Sequence, residues 1–161
     1  MPATYEPIST QTLGTATASV TFSSIPATYT DLRLVVSGST SASDNTVIRV
    51  NGDTASNYSS TYLGGNGTAA SSGRFSSQTY AILGYVGSGN QMVEQFDFMN
   101  YSNTTTFKSI LCRSGSSSVW VEGSIGLWRS TAAINSITIL FFSSATFNTG
   151  TTFTLYGIKA A

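Results

Sequence analysis

The sequence predicts an all-β fold, an antiparallel β-sandwich of jelly-roll type with about 8–10 strands. Three observations carry this. Short segments alternate apolar and polar residues with a period of two and are bounded by Gly, Asn, Ser and Pro, as half-buried strands are. No segment of ten or more residues shows a sustained 3.6-residue period. The chain is rich in Ser, Thr and Gly, yet 40% of its residues are hydrophobic and 12% aromatic, enough to offset the entropy of ordering a backbone.

Residues 1 to 14 carry no apolar alternation and read as an N-terminal arm before a single sandwich domain spanning 15 to 161. The first strand is expected over 16–22, with Ala18, Val20 and Phe22 on one face. Ile25-Pro26 turns the chain, because proline restricts the residue before it and donates nothing to a ladder. A second strand over 31–38 and a third over 47–50 follow. Asn51-Gly52-Asp53 then supplies turn chemistry: a glycine tolerant of positive φ between two side chains that bond their own backbone.

From 54 to 73 the chain is mostly Ser, Thr, Gly, Asn and Ala, interrupted by Tyr58, Tyr62 and Leu63. It reads as a long surface loop with room for a short strand, and loops of this length often carry binding. Asn57, Tyr58, Tyr62 and Asn66 are its candidate partner- or glycan-contacting residues. Further strands are expected over 79–86, 91–100, 106–113, 118–129, 136–142 and 152–159, nine in all. Within 119–127 the odd positions Val119, Val121, Ile125 and Leu127 are expected in a core. Trp120, Glu122 and Ser124 then lie on the other face, and both faces are expected to be at least partly covered. The strand with Phe153 and Leu155 is expected inside a sheet.

Charge narrows the function. Seven Lys and Arg balance seven Asp and Glu, and no basic run could supply a set of phosphate contacts, so nucleic acid is not an expected partner. Only 9% of residues are charged, whereas 27 Ser and 24 Thr give a polar, nearly uncharged surface suited to a subunit of an assembly. No stretch of about 18 apolar residues exists to span a membrane, and no basic-then-apolar leader opens the chain, so a soluble protein made inside a cell is expected.

Catalysis is not expected. The chain has no His, and its single Cys112 reads as a small core residue. The sharpest enzymatic reading is a two-carboxylate glycosidase using Glu94, Asp97 and Glu122. Glu94 and Asp97, three apart, fall on opposite faces of a strand, and no sequence feature brings Glu122 to either. The plainer role for these acids is pairing with Arg113, Arg129 or Lys108. No metal or cofactor is expected, since Asp44-Asn45 and Asn51-Gly52-Asp53 lack the regular acidic spacing of a calcium loop. The glycines at 64, 65 and 67 and from 84 to 89 read as turn glycines, with no Lys-Ser/Thr after them to make a phosphate loop. Sugar stacking on Tyr58, Tyr62, Tyr80, Tyr85 or Trp120 stays open.

Several segments carry a resemblance: Ser24-Ile25-Pro26-Ala27-Thr28-Tyr29-Thr30-Asp31-Leu32, Ile48-Arg49-Val50-Asn51-Gly52-Asp53 with Asn57-Tyr58, Trp128 through Ile139, Gly150, and Phe153-Thr154-Leu155-Tyr156-Gly157-Ile158. Over about 22–159 the chain resembles small virion proteins of cyanophages and related tailed phages. The resemblance implies a structural role in the virion after synthesis in the host cytoplasm, and no catalytic residues. The expected role is a capsid decoration or cement protein, homo-oligomeric and preferably trimeric, that bridges major capsid protein subunits. The alternative is a tail-fibre or receptor-binding module that recognises host surface glycan.

Overall fold

A computed structural model describes residues 4–89, 91–117 and 120–159 as a sandwich of two antiparallel sheets. The strands are β1 (Tyr5–Thr12), β2 (Ser19–Phe22), β3 (Asp31–Ser39), β4 (Asp44–Val50), β5 (Tyr58–Gly65), β6 (Ala70–Gln78), β7 (Ala81–Val86), β8 (Gln91–Phe98), β9 (Lys108–Ser116), β10 (Trp120–Trp128), β11 (Ile137–Phe141) and β12 (Thr152–Ile158). The large sheet runs β1-β12-β3-β8-β9-β10-β5-β6 and the small one β2-β11-β4-β7. The all-β sandwich expected from the sequence is therefore the fold. Among the described residues no helix is long and apolar enough to cross a membrane.

The core forms where period-two strands from both sheets turn their apolar sides together. Leu32, Leu34 and Val36 of β3, Phe153 and Leu155 of β12, and Val20, Phe22, Ile48, Val50, Ile137 and Ile139 of the small sheet are all buried. Phe147 ties the layers, with its ring 4.4 Å from Phe141 and 4.9 Å from Phe153. β12 lies between β1 and β3, inside the sheet, as its alternation requires. Cys112 is buried, and burial raises its thiol pKa well above the usual value.

Two segments depart from the sequence reading. The expected N-terminal arm contains β1, an edge strand paired with β12 from Tyr5↔Ile158 to Thr12↔Thr152. Its alternation is faint because one set of side chains is exposed and the other only half-buried, and Pro7 sits at a register shift, which an edge strand tolerates. The expected loop over 54–73 holds β5 and the start of β6, joined by a hairpin turn at Asn66-Gly67. Its inward positions are filled by Ser60 and Gly64 beside Tyr58 and Tyr62, so the usual apolar signal is missing. These three strands raise the count to twelve.

The orientation of β10 is also the reverse of that expected. Glu122, Ser124, Gly126 and Trp128 are buried, while Val121 and Ile125 are 68% and 55% exposed. Val119 lies outside the described residues. Two contacts set this facing. Trp128 stacks with Tyr58, and its Nε1 donates to Asp53 Oδ2 at 2.7 Å. At Gly126 a Cβ would come within 2.8 Å of the Ala81 Cβ, so β7 packs down on β10 where that strand has no side chain.

Candidate functional site

An eight-stranded sheet facing a four-stranded one leaves a step. β7 is an edge of the small sheet and packs over β9, β10 and β5; beyond it the inner face of β5 and β6 runs on without a partner layer. A cleft of about 230 Å³ opens there, lined by Asn45, Tyr62, Phe75, Tyr85, Trp120 and Glu122. Each lining residue comes from a different strand except the last two, which project together from β10.

A bulge aims Tyr85 into this cleft. In the β4–β7 ladder Asn45 pairs with Tyr85 and Thr46 with Leu83, so Gly84 is the extra residue, at φ +52°. Only glycine fits: a Cβ at position 84 would collide with Glu94 Oε1 and lie 2.7 Å from the Thr46 hydroxyl. Asn45 holds the bulge by donating from Nδ2 to the Gly84 carbonyl at 3.0 Å.

Glycines also seat the other rings. A Cβ at Gly64 would lie 2.5 Å from the Trp120 indole, and one at Gly73 would lie 2.6 Å from the Tyr62 ring, so both rings lie flat on bare backbone of the neighbouring strand. Tyr85 and Trp120 meet edge to face, centroids 6.4 Å apart at 79°, while Tyr62 and Phe75 stack at 6.1 Å and 27°. The reading of Gly64 and Gly84 as turn glycines is thereby corrected: both lie within strands and make room for side chains.

The floor of the cleft is acidic. Glu94, Ser114 and Glu122 form one cross-strand row on the inner face, Glu94↔Ser114 and Ser114↔Glu122. Two strand spacings put the Glu94 and Glu122 Cα atoms roughly 10 Å apart. Glu122 accepts a hydrogen bond from Trp120 Nε1 at 2.8 Å. Burial raises the Glu122 pKa, opposed by this bond and by the Ser124 hydroxyl and the Gly84 backbone. Glu94 is fully buried, and burial pushes its pKa up to about 8, with the charge of Glu122 adding to the effect. The Thr46 hydroxyl lies 2.8 Å from Glu94 Oε1 and 2.9 Å from the Leu83 carbonyl oxygen. It carries one proton for two acceptors, an arrangement that a protonated Glu94 completes by supplying the second.

The pairing expected for the acids thus holds for one of three. Asp97 sits on the opposite face, bonded to Arg33 Nε at 2.5 Å and Arg113 Nη2 at 3.3 Å, and hydrogen bonds from Arg33, Gln95 and Arg113 override the cost of burial to lower its pKa. Glu94 and Glu122 have no cationic partner among the described residues. The row uniting them was invisible in sequence, because cross-strand register is a long-range property. Of the two, only Glu122 lines the cleft. No group of three or more His, Cys, Asp or Glu among the described residues could hold a metal.

The candidate loop residues are scattered. Tyr58 is fully buried, its hydroxyl bonded to the Val50 N–H at 3.1 Å, and burial raises its pKa to about 12. Asn57 donates to Asp53 Oδ2 at 2.9 Å, within the turn that Asn51 and Gly52 make with both φ values positive. Asn66 accepts from the Thr68 and Ala69 N–H groups at the hairpin tip. Tyr62 alone lines the cleft, where Trp120 and Tyr85 join it. Tyr58 is therefore closed off inside the core, whereas Asn57 is half-buried in its turn and Asn66 is exposed at the hairpin tip, both away from the cleft.

The outer face of the same half-sheet exposes four apolar side chains around Arg113. Leu63, Val93, Val121 and Ile125 are 66%, 59%, 68% and 55% exposed. Val93 and Val121 line a shallow groove of about 520 Å³ that runs over Gly115 and Gly123 beside Gln95 and Arg113.

No family model matches the chain, and no curated protein does. Among solved structures it is similar to the galectin LEC-6 of Caenorhabditis elegans, a jelly-roll-like β-sandwich, at 10% identity and a TM-score of 0.38, covering 91% of this chain and 94% of that one. It is also similar to the alginate lyase Aly36B in complex with an alginate tetrasaccharide, at 6% identity and a TM-score of 0.29, covering 83% and 72%. A functionally unknown protein from Saccharomyces cerevisiae matches at 8% identity and a TM-score of 0.27, covering 82% and 74%. Likeness at this level concerns the layered strands and carries nothing about ligands or chemistry.

Proposed function

We propose that this chain is a non-catalytic structural subunit of a tailed-phage virion, a decoration or cement protein that joins neighbouring capsid proteins through the outer face of its large sheet. The observation that supports this most is the exposed apolar face formed by Leu63, Val93, Val121 and Ile125 on a molecule with no net charge. Contiguous apolar surface on a weakly charged protein marks a place that a partner covers. Self-association, with a trimer favoured, places copies of that face around a shared axis. The resemblance of the Asn51-Gly52-Asp53 and Phe153–Ile158 segments to virion proteins supplies the setting.

Sedimentation of the purified protein with capsids that lack it tests the proposal. Saturable binding at many copies per shell, lost in a Val121→Asp/Ile125→Asp variant that keeps its circular dichroism, supports it. Absence of binding by the folded wild type overturns it and favours the second reading, a tail-fibre or receptor-binding module for host surface glycan. That reading rests on the aromatic cleft at Tyr62 and Trp120, and a glycan array with no signal removes it.

A further inference from the structure

The cleft at the step between the sheets has a chemistry of its own, independent of the virion reading. Four aromatic rings from four strands converge on one carboxylate. Tyr85 and Trp120 stand at 79° to one another, so they form two walls and not one platform. Tyr62 and Phe75 line the cleft from β5 and β6. Ring faces carry partial negative charge and attract a cation held within about 6 Å of the centroid.

Charge points the same way. Glu122 is the sole ionisable carboxylate among the lining residues, no Lys or Arg is among them, and Glu94 lies behind it in the same row. An anion would meet the uncompensated Glu122 carboxylate, whereas a cation would be its counter-charge.

Hydrogen-bonding capacity then selects the kind of cation. Four of the six lining residues are aromatic; Asn45 spends its Nδ2 on the Gly84 carbonyl and Glu122 accepts from Trp120, so beyond these two side chains the polar groups of the lining are the Tyr62 and Tyr85 hydroxyls at the tips of apolar rings. A primary ammonium needs acceptors for three N–H groups, and a sugar needs partners for several hydroxyls. A quaternary ammonium has no N–H, sheds its water cheaply and wants apolar walls. The volume of about 230 Å³ is below the roughly 300–1,000 Å³ of drug-sized sites, which suits a head group and not a long chain.

We propose that the cleft formed by Tyr62, Phe75, Tyr85 and Trp120 over Glu122 binds a quaternary alkylammonium group. Choline, a betaine, a choline-headed lipid and a trimethylated lysine all present this chemistry.

Titration of the full chain with choline chloride, followed by tryptophan fluorescence, is the test, with sodium chloride and the uncharged isostere 3,3-dimethylbutan-1-ol as controls. Saturable binding of choline is expected, with the isostere about tenfold weaker. Trp120→Leu and Tyr85→Ala are expected to abolish it. Glu122→Gln should weaken it about tenfold while thermal unfolding stays cooperative. Phosphatidylcholine vesicles and a trimethyllysine peptide separate a membrane source from a protein one. Equal affinity for choline and the isostere would overturn the proposal by showing a merely apolar cleft. Binding of monosaccharides without choline would overturn it in favour of a sugar site, and so would no saturable change with any ligand. If Trp120→Leu unfolds the chain, Tyr85→Ala, at a half-exposed position, keeps the test decisive.

Discussion

The two halves of the large sheet use the same alternating pattern in opposite senses. In β3 and β12 the apolar residues Leu32, Leu34, Val36, Phe153 and Leu155 point into the sandwich, and Arg33 and Thr154 point away. In β10 the inward row is Glu122, Ser124 and Gly126, and the aliphatic residues face outward. Both are regular strands in one sheet, so a period of two reveals a strand without revealing its buried side. The difference follows from what lies opposite: the first half is covered by the small sheet, whereas the second reaches its edge and runs past it. A sheet that outgrows its partner can place polar groups inside and apolar groups outside without losing its core.

The widest separation between the halves should appear in paired truncations. Phe153→Ala is expected to cost about 3–5 kcal/mol in chemical denaturation, while Ile125→Ala stays within about 0.5 kcal/mol of wild type. A comparable loss in both would mean that the outer face is covered in the folded protein. Gly84→Ala comes next: the left-handed backbone alone costs about 1–2 kcal/mol, and the new methyl group meets Glu94, so the midpoint should fall and near-ultraviolet dichroism from Tyr85 and Trp120 should change.

A subtler effect is pH-dependent. Native Glu94, with its pKa near 8, keeps a proton that the unfolded chain gives up above about 4.5. Its contribution to stability is full below pH 4.5 and is lost as pH rises through 8, so denaturation midpoints should decline over that window. In Glu94→Gln that decline should flatten. The smallest effect on stability is expected from Val121→Thr with Ile125→Thr, within about 0.5 kcal/mol by the same denaturation assay.

Much of the fold was legible because its signals are local. The alternation at Val20 and Phe22, the turn at Asn51-Gly52-Asp53 and the aromatic strand ending at Ile158 each declare themselves within ten residues. β1, β5 and β6 did not, because edge and overhanging strands need no apolar side and are specified by pairing with distant segments. The site was legible only as separate residues: Tyr62, Tyr85, Trp120 and Glu122 stand out in the sequence, but nothing local joins them. Trp120 was recognised as an exposed-aromatic candidate but was separated from its neighbours, since the register joining Glu94 to Ser114 and Glu122 is set by three strands together. One clue was present: both tryptophans fall on even positions of β10, along with Gly126, and the larger rings outweigh Val121 and Ile125 in choosing the buried face.

The pairing of β1 with β12 sets how the molecule bears load. Tyr5 lies opposite Ile158, and the Lys159 N–H bonds the Thr4 carbonyl at 3.1 Å, so the beginning of the first strand and the end of the last sit side by side. Tension applied through those two ends would peel the strands apart like a zipper, breaking rungs one after another at low force. Tension applied across the outer face of β10 would instead have to slide whole ladders past each other, many bonds at once. A molecule of this design is mechanically weak when pulled by its ends and strong when gripped by its broad sheet.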